Sequence, residues 1–289
     1  MWAILALGAA LLTSFNPILY KRMLKDTDVL VVIWGVILLA LPILGLFTFT
    51  FTPQLPRLDT WFFVGVLGSA ILNTTAHLAN TKALKLADVS LVTPLLTFNP
   101  VFTLIISAIF LAEIPTASGV VGVGFVLVGA YWINHSPGAG WLAPFKSLVL
   151  NPAQSLVLTA GVLWAVTPLF EKIAILNTDP TNPRMVAFSV NLVLVMMLTP
   201  TVLAHGRTAI GKLLLHRREW IIAGLIAGSA PVLGYTAFSL GLIGYVTTLF
   251  KFSVLLTVLW GFIFLKEGGI SQRLPGAILM LIGSILMVT

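Results

Sequence analysis

The sequence predicts an all-α membrane protein with ten transmembrane helices, arranged as two inverted five-helix repeats around a central cavity. Three observations predict this fold class: an apolar composition, ten apolar stretches of membrane-spanning length, and an internal duplication. Of the 289 residues, 58% are hydrophobic and only 9% are charged. Because a soluble domain carries about 25% charged residues, this composition excludes a soluble protein and indicates a polytopic membrane protein.

The charged and metal-binding residue types exclude several kinds of site. The chain has no cysteine, which excludes disulfides and thiolate metal sites. Its four histidines are scattered without the spacing of metal ligands, so we expect no metal and no cofactor. A net charge of +7 is compatible with nucleic-acid binding, but the basic residues lie at the ends of predicted helices. Charge that flanks a membrane explains them better, and we expect no nucleic-acid partner.

A membrane-spanning helix needs about 20 mostly apolar residues. The first apolar stretch has no basic segment before it and is followed directly by Lys21 and Arg22, so we expect a mature first helix rather than a secretory signal. The loop 205–219 has the pattern of an amphipathic segment at the membrane interface. The ten predicted spans, numbered in chain order, are 2–20, 29–48, 61–81, 89–111, 117–134, 153–171, 185–204, 220–241, 244–265 and 270–288.

Lysine and arginine are distributed unevenly between the two sets of loops. The loops after spans 1, 3, 5, 7 and 9 hold twelve of these residues, and the other loops hold three. Cytoplasmic loops of membrane proteins are enriched in lysine and arginine. The distribution therefore predicts that both termini lie outside the cytoplasm.

The second half of the chain repeats the first, which predicts one repeat at 1–135 and another at 152–289. With a shift of 154 residues, 83–113 aligns with 237–267 without a gap. Glutamate and glycine matches are less expected by chance in a membrane protein than apolar matches are. The matched pairs of these types are Glu113 with Glu267, Gly122 with Gly276, and Gly129 with Gly283.

Spans 1 and 6 align at a nearby offset, which pairs Pro17 with Pro168 and Lys21 with Lys172. Each repeat holds five predicted spans. Because five is odd, the second repeat must enter the membrane with the opposite orientation. Inverted repeats give a pseudo-two-fold axis in the membrane plane, a site near the bilayer midplane, and two related conformations open to opposite sides.

Spans 4 and 9 carry a matching signature. In the first repeat it contains Asp88-Val-Ser-Leu-Val-Thr-Pro94 and Pro100-Val-Phe-Thr103, and it ends at Phe110-Leu-Ala-Glu113. In the second repeat it ends at Phe264-Leu-Lys-Glu267. With two copies in register and ten predicted spans, the whole chain resembles the EamA-type ten-helix members of the drug/metabolite transporter superfamily.

The resemblance implies two inverted five-helix halves around a cavity lined mainly by spans 1, 3, 4, 6, 8 and 9, with spans 5 and 10 at the periphery. It also implies small-molecule transport, rather than an enzyme activity, in a multi-pass protein of the plasma (inner) membrane. Members move amino acids, nucleotide sugars, sugar phosphates and other solutes, so the substrate stays open. Ten-helix relatives are usually described with both termini in the cytoplasm, which disagrees with the lysine and arginine distribution.

Lys251 is the main candidate for a substrate-binding residue. It lies inside the apolar span 9, where a cation costs roughly 2.5–3.5 kcal/mol, so a polar cavity is a better site for it than lipid. Snorkelling of its side chain toward the interface, or a structural ion pair, is the alternative. Nucleotide-sugar carriers of the superfamily have a lysine at a similar place in span 9, and this resemblance implies a contact between Lys251 and an anionic group.

Three glutamates are candidate gate or coupling residues. Glu171 follows Pro168, which can break span 6 and free backbone groups. A partnership with Lys251 is one interpretation of Glu171, and an interfacial carboxylate at the end of span 6 is the other. Glu113 and Glu267 end spans 4 and 9, where we predict gate or structural roles.

Polar residues inside the spans are further candidates for substrate binding. Asn73, His77 and Asn80 share one face of span 3, where they could contact substrate, with a proton step at His77, or form hydrogen bonds between helices. Asn16 and Asn99 precede prolines in spans 1 and 4, and carbonyl groups freed by proline can line a cavity.

The remaining candidates are three threonines and two aromatic residues. Thr93 and Thr97 in span 4 occupy a stretch whose repeat equivalent begins at Thr247 in span 9. Threonine in a membrane helix often has only a structural role, and the repeat is the reason to include them. Trp164 and Tyr235 could stack on a ligand ring, or they could pack in the core or at the interface.

These residues predict a secondary transporter that moves a small organic solute with an anionic group by alternating access. The chain has no Walker motif, so gradients or exchange would drive transport. Export of neutral or zwitterionic amino acids is an alternative, and a membrane-embedded enzyme or a channel are alternatives of another class. We expect a small-molecule substrate and the lipid bilayer as partners, and a monomer or weak homodimer.

Overall fold

The computed structural model describes residues 1–51, 55–99, 101–102, 116–134, 142–204, 216–241, 246 and 249–286. Within these residues, six helices are long and apolar enough to cross a bilayer, and they match predicted spans 1, 2, 3, 6, 7 and 8. Their bounds are Trp2–Met23, Val29–Thr50, Thr60–Leu86, Pro152–Leu176, Pro183–Ala204 and Arg217–Leu240. The predicted multi-span helical class is confirmed by these six helices.

Shorter apolar helices occupy the described parts of the other four predicted spans. In spans 4 and 5, the helical segments with described bounds are Val89–Val92, the 3-10 helix Thr93–Phe98, and Ala117–Asn134. Spans 9 and 10 contain Phe252–Leu265 and Ile270–Leu286.

Span 1 is broken into two helices, Trp2–Thr13 and Asn16–Met23. Pro17 has no N–H group, so it cannot donate the helical hydrogen bond to the carbonyl oxygen of Thr13, four residues earlier in the chain. The carbonyl oxygen of Ser14, at the break, accepts a hydrogen bond from Thr257 Oγ1 of span 9 at 2.9 Å. The break therefore joins span 1 to a helix of the other repeat.

Span 6 is continuous at the equivalent position. The helix Pro152–Leu176 runs through Pro168 and extends past the predicted end at residue 171. Span 3 packs along this helix, and span 8 contacts it through hydrogen bonds to Glu171 and from Lys172. Because the helix continues to Leu176, Glu171 and Lys172 lie inside it, and the interpretation of Glu171 as an interfacial residue at a helix end is wrong.

Both repeats interrupt their helical backbone at equivalent positions. In span 4 the interruption is the 3-10 helix Thr93–Phe98. In span 9 it is a turn at Lys251, which directly precedes the helix Phe252–Leu265. Lys251 corresponds to Thr97 under the 154-residue shift.

Contacts between spans follow a two-fold pattern. Span 3 packs along span 6, and span 8 packs along span 1, which is the same contact after exchange of the repeats. In the same way, span 2 packs on span 8 and span 7 packs on span 3. Spans 2 and 7 contact each other, as do spans 5 and 10. The two repeats are therefore packed in an equivalent manner.

Spans 5 and 10 cross at glycines. A Cβ atom on Gly129 would lie 2.6 Å from the carbonyl oxygen of Gly276, and one on Gly283 would lie 2.5 Å from the carbonyl oxygen of Gly122. These two contacts are equivalent under the 154-residue shift. The backbones approach too closely for side chains, so the paired glycines allow the two helices to pack closely.

Ionisable side chains link the two repeats at the end of the bundle where spans 1, 3 and 9 finish. Both members of each pair lie at or near helix ends, where the backbone also carries partial charge. The pairs are Arg22 with Glu219 at 3.9 Å, His216 with Asp26 at 3.0 Å, and Arg273 with Asp88 at 2.9 Å.

Two kinds of short element were not predicted from the sequence. The helix Ala143–Leu150 lies between spans 5 and 6. The strands Arg57–Leu58 and Thr178–Asp179 form an antiparallel pair with Arg57 opposite Asp179. The strand pair joins the loop after span 2 to the loop after span 6. Two-residue strands carry no periodic pattern that a sequence could reveal.

Candidate functional site

The spans enclose a central cavity of about 380 Å³. Spans 1, 3, 4, 6, 8 and 9 line it, as the family resemblance implied, and spans 2 and 7 also contribute through Ile37, Val190, Asn191 and Leu194. Among the described residues, spans 5 and 10 contribute none. The polar side chains of the lining belong to Thr13, Asn16, Tyr20, Asn73, His77, Asn99, Trp164, Thr167, Glu171, Asn191, Tyr235 and Lys251.

Glu171 is the centre of a hydrogen-bond cluster in the cavity wall. Its Oε1 atom accepts from Ser69 Oγ at 3.2 Å, from Asn73 Nδ2 at 3.2 Å and from Tyr235 Oη at 2.9 Å. The residue is only 6% exposed. Among the described residues, no cation forms an ion pair with it. Three neutral donors on one oxygen stabilise the carboxylate form without cancelling its charge.

Trp164 is held in a fixed orientation beside this cluster. Its Nε1 atom donates to Asn73 Oδ1 at 3.0 Å, and its ring meets the His77 ring edge-on with centroids 5.3 Å apart. Asn73 is therefore a bridge, because its amide also donates to Glu171. Four residues predicted separately from spans 3, 6 and 8 thus belong to one network: Asn73, Trp164, Glu171 and Tyr235.

Lys251 lines the same cavity from span 9. It makes no hydrogen bond or ion pair with any part of the chain that the structure describes. It is also the residue just before the helix Phe252–Leu265, and the N-terminal end of a helix carries partial positive charge. Phe250, its neighbour in the lining, packs edge-on against Phe238 with centroids 5.5 Å apart. The cavity therefore contains a localised positive site beside aromatic surface.

Asn16 lies in the cavity wall at the break in span 1, and Asn99 lies there directly after the 3-10 helix of span 4. Asn99 donates from Nδ2 to the carbonyl oxygen of Gly161 at 2.8 Å, which ties span 4 to span 6. The Oδ1 atom of Asn16 is buried and accepts no hydrogen bond from the described residues.

A sequence profile identifies the family of this chain. The profile described as the EamA-like transporter family matches residues 1–135 and again residues 151–289. The chain belongs to the EamA-like transporter family. The two matches are the two repeats, so the family assignment and the internal duplication agree.

Further comparisons with known proteins support the fold alone. No match was found among curated proteins. A solved structure titled "Crystal structure of protein" is similar to this chain at 16% identity, with a TM-score of 0.61 over 99% of this chain and 97% of the other. At this identity the similarity supports the fold and carries no statement about substrate.

Membership in the EamA-like transporter family gives the general activity. The chain is a membrane transporter of small solutes rather than an enzyme. It is a multi-pass integral membrane protein, for which the plasma membrane is the typical location. Its environment is the lipid bilayer, and its ligand is a small molecule.

Three predicted site residues of this EamA-like transporter lie outside the cavity lining. Thr93 and Thr97 are buried in the 3-10 helix of span 4, and Thr97 Oγ1 donates to the carbonyl oxygen of Pro94 at 2.6 Å. Glu267 is the third. Its Oε1 accepts from the Val89 backbone N–H at 2.8 Å, and its Oε2 accepts from the Ser90 backbone N–H at 2.8 Å and from the Ser90 hydroxyl.

The Glu267 contact has a clear structural consequence. The carboxylate at the end of span 9 satisfies the free N–H groups at the start of span 4, which belongs to the other repeat. Arg273 lies 3.8 Å from the same carboxylate. The contact fixes the relative position of the two repeats at one end of the bundle. Glu113 and Thr247, also predicted for the site, lie outside the described residues.

Sequence reasoning did not include Asn191, Thr167, Thr13 or Tyr20, which all line the cavity. Asn191 is a polar residue in an otherwise apolar stretch of span 7, which is the signal that identified Asn73 and His77. The other three resemble ordinary helix-packing residues in the sequence. Only their position beside the cavity distinguishes them.

Proposed function

We propose that this chain is a secondary transporter with ten spans in two inverted repeats, which moves a small organic solute bearing an anionic group by alternating access. The observation that carries the proposal is the position of Lys251. This residue lines the central cavity, and its side chain has no anionic partner in the described part of the chain. A carboxylate or phosphate on the solute would supply that partner. The N-terminal end of the helix Phe252–Leu265 would also attract this anionic group.

The packing of the repeats supports alternating access. Equivalent contacts in the two halves, such as the glycine crossing of spans 5 and 10, are compatible with two conformations related by exchange of the repeats. The Glu267 contact with span 4 would close one end of the bundle in the conformation described. Opening that end would require this contact to break.

The remaining cavity groups indicate the shape of the solute. The 380 Å³ volume is within the range of small-molecule sites, about 300–1,000 Å³. Phe238, Phe250 and Trp164 provide apolar walls. A compact organic molecule with one anionic end and an apolar surface fits these features.

Export of a zwitterionic amino acid is the second candidate, because Glu171 lines the same cavity as Lys251. Its Oε2 atom makes no hydrogen bond with a described residue, so it is able to receive an ammonium group. In this arrangement the two ends of the solute would contact oppositely charged side chains.

Ligand-induced stabilisation of the detergent-purified protein tests the proposal. The panel contains organic acids such as gluconate and malate, the phosphate ester glucose 6-phosphate, and the amino acid alanine. We expect an organic acid or phosphate ester to raise the Tm of the wild type but not of Lys251→Gln. Lys25→Gln is the matched control, because Lys25 is an exposed lysine at the end of the bundle. Equal stabilisation of all three proteins would remove Lys251 from the site.

Counterflow in proteoliposomes separates the proposal from a channel. A carrier exchanges labelled against unlabelled solute with a rate that saturates. A channel passes the solute at high conductance without saturation. Size-exclusion analysis in detergent tests the proposed monomer or weak homodimer.

A further inference from the structure

Glu171 is a buried carboxyl group that the proposed anion site does not use. Its Oε1 atom receives all three hydrogen bonds that the structure gives to the side chain, from Ser69, Asn73 and Tyr235. Its Oε2 atom receives none from a described residue. Since Glu171 lines the cavity, Oε2 is the atom left to face the solute and water. A carboxyl oxygen in this position can bind a proton from the cavity.

The charged and titratable groups around Glu171 come from several elements. Span 3 contributes His77, span 8 contributes Tyr235, span 9 contributes Lys251 and span 1 contributes Tyr20. From spans 4 and 7, the described lining residues are not titratable. Lys172, the next residue in span 6, donates to the carbonyl oxygen of Phe238 at 2.6 Å. Among the described lining residues, Lys251 is therefore the cation that shares the cavity with Glu171.

Charge balance in the cavity distinguishes the states of the transport cycle. Empty, the cavity holds the Lys251 ammonium and the Glu171 carboxylate, and their charges cancel. A bound monoanion would add one uncompensated negative charge inside the bilayer, where net charge is strongly unfavourable. One proton on Glu171 restores neutrality. The empty and the loaded cavity are then both neutral, and both are able to reorient.

From this geometry we infer that Glu171 is a proton-binding site that couples the movement of one proton to the movement of one monoanionic solute in the same direction. The inference rests on the proposed function, because it requires an anion at Lys251. The proton binds at Oε2 from the open side, while Ser69, Asn73 and Tyr235 keep Oε1 in place. It leaves with the solute on the other side, which returns the cavity to its neutral empty state.

The inference separates the two candidate solutes. A zwitterion adds no net charge between Lys251 and Glu171, so it needs no proton. A monoanion needs one. The presence or absence of proton movement during transport therefore reports which kind of solute the cavity accepts.

Proton flux in proteoliposomes that contain a trapped pH dye tests the coupling. Gluconate serves as the monoanion and alanine as the zwitterion. We expect inward gluconate flux to acidify the lumen with about one proton per gluconate, and an acidic exterior to accelerate uptake. Alanine flux, if present, leaves the lumen pH unchanged. Saturable gluconate uptake that requires Lys251 but moves no protons would overturn the coupling and leave the proposed function intact.

The variant Glu171→Gln tests the residue assignment. We expect its residual gluconate counterflow to be independent of pH, and gluconate addition to produce no proton movement. Glu219→Gln is the control, because Glu219 is a glutamate at the bundle end that pairs with Arg22. It should behave like the wild type. Proton flux that persists in Glu171→Gln would assign the coupling to another group.

Infrared titration of purified protein tests proton binding without a transported solute. We expect a C=O stretch at the higher frequency of a protonated carboxyl group shielded from water, separate from the band of the exposed carboxyl groups, to appear in the wild type within the pH range where the protein stays folded. This higher-frequency band should be missing in Glu171→Gln and present in Glu219→Gln. A spectrum identical in all three proteins would overturn the inference, whichever solute the transporter accepts.

Discussion

Lys21 and Lys172 make the same contact in the two halves of the transporter. Lys21 donates to the carbonyl oxygens of Leu84 and Ala87, at 2.7 Å and 2.6 Å, where span 3 ends. Lys172 donates to the carbonyl oxygen of Phe238 at 2.6 Å, where span 8 ends. Leu84 and Phe238 are equivalent under the 154-residue shift. Each lysine thus satisfies the free carbonyl groups of a helix C-terminus in its own repeat.

Removal of either lysine is expected to destabilise the fold. A hydrogen bond to a charged group contributes about 1.5–3 kcal/mol, and Lys21 makes two such bonds. We therefore expect Lys21→Met to lower the Tm in detergent more than Lys172→Met does. Lys25→Met provides the control, since Lys25 is exposed. Equal Tm values for Lys21→Met and the wild type would contradict a stabilising role for the contact.

The glycine crossing of spans 5 and 10 is expected to tolerate no side chain. Gly129→Ala would place a Cβ atom 2.6 Å from the carbonyl oxygen of Gly276, so the two helices must separate. Overpacking of this kind costs about 1–3 kcal/mol. Gly124→Ala in the same helix is the matched control, because its Cβ atom would meet nothing within 4 Å. Thermal unfolding of both variants measures the difference in Tm. An equal decrease in Tm in both variants would show that the close approach at the crossing does not cause the destabilisation.

The orientation in the membrane can be measured directly, because the chain has no cysteine. If both termini lie outside the cytoplasm, Lys25→Cys faces the cytoplasm and Thr181→Cys faces the outside. Both residues are exposed, at opposite ends of the bundle. We expect a membrane-impermeant maleimide to label Thr181→Cys, but not Lys25→Cys, in intact cells. The reverse labelling would show that the prediction of both termini outside the cytoplasm, made from the lysine and arginine distribution, is wrong.

Tyr235 is expected to set the pH range of transport. Its hydroxyl group donates to Glu171 Oε1 at 2.9 Å and so stabilises the carboxylate form. In Tyr235→Phe this donor is lost, and the protonated fraction of Glu171 increases. We expect the midpoint of pH-dependent uptake to move to higher pH. A useful comparison is Thr236→Val, since Thr236 Oγ1 donates within its own helix to the Val232 carbonyl oxygen at 2.6 Å. A shift of similar size in both variants, or a shift to lower pH in Tyr235→Phe, would contradict this role.

The site shows where sequence reasoning succeeded and where it stopped. Lys251, Asn73, Trp164 and Tyr235 were candidates because polar or aromatic groups stand out in apolar spans, and all four line one cavity. Thr93 and Thr97 were included because of the repeat, and they pack in span 4 outside the cavity lining. Repeat symmetry relates backbone positions, but it does not require equivalent side chains to face the same surface.

The membrane class, the approximate positions of the six long spans and the duplication could be determined from the sequence by itself. Each of these properties depends on the local sequence, either on the length of an apolar stretch or on residues that match at the 154-residue shift. The surroundings of Glu171 were decided only by the tertiary structure. The sequence placed this residue at the end of span 6, whereas packing against spans 3 and 8 extends the helix to Leu176 and surrounds the carboxylate with Ser69, Asn73 and Tyr235. These donors come from other helices, so their convergence on one oxygen atom depends on how the helices pack.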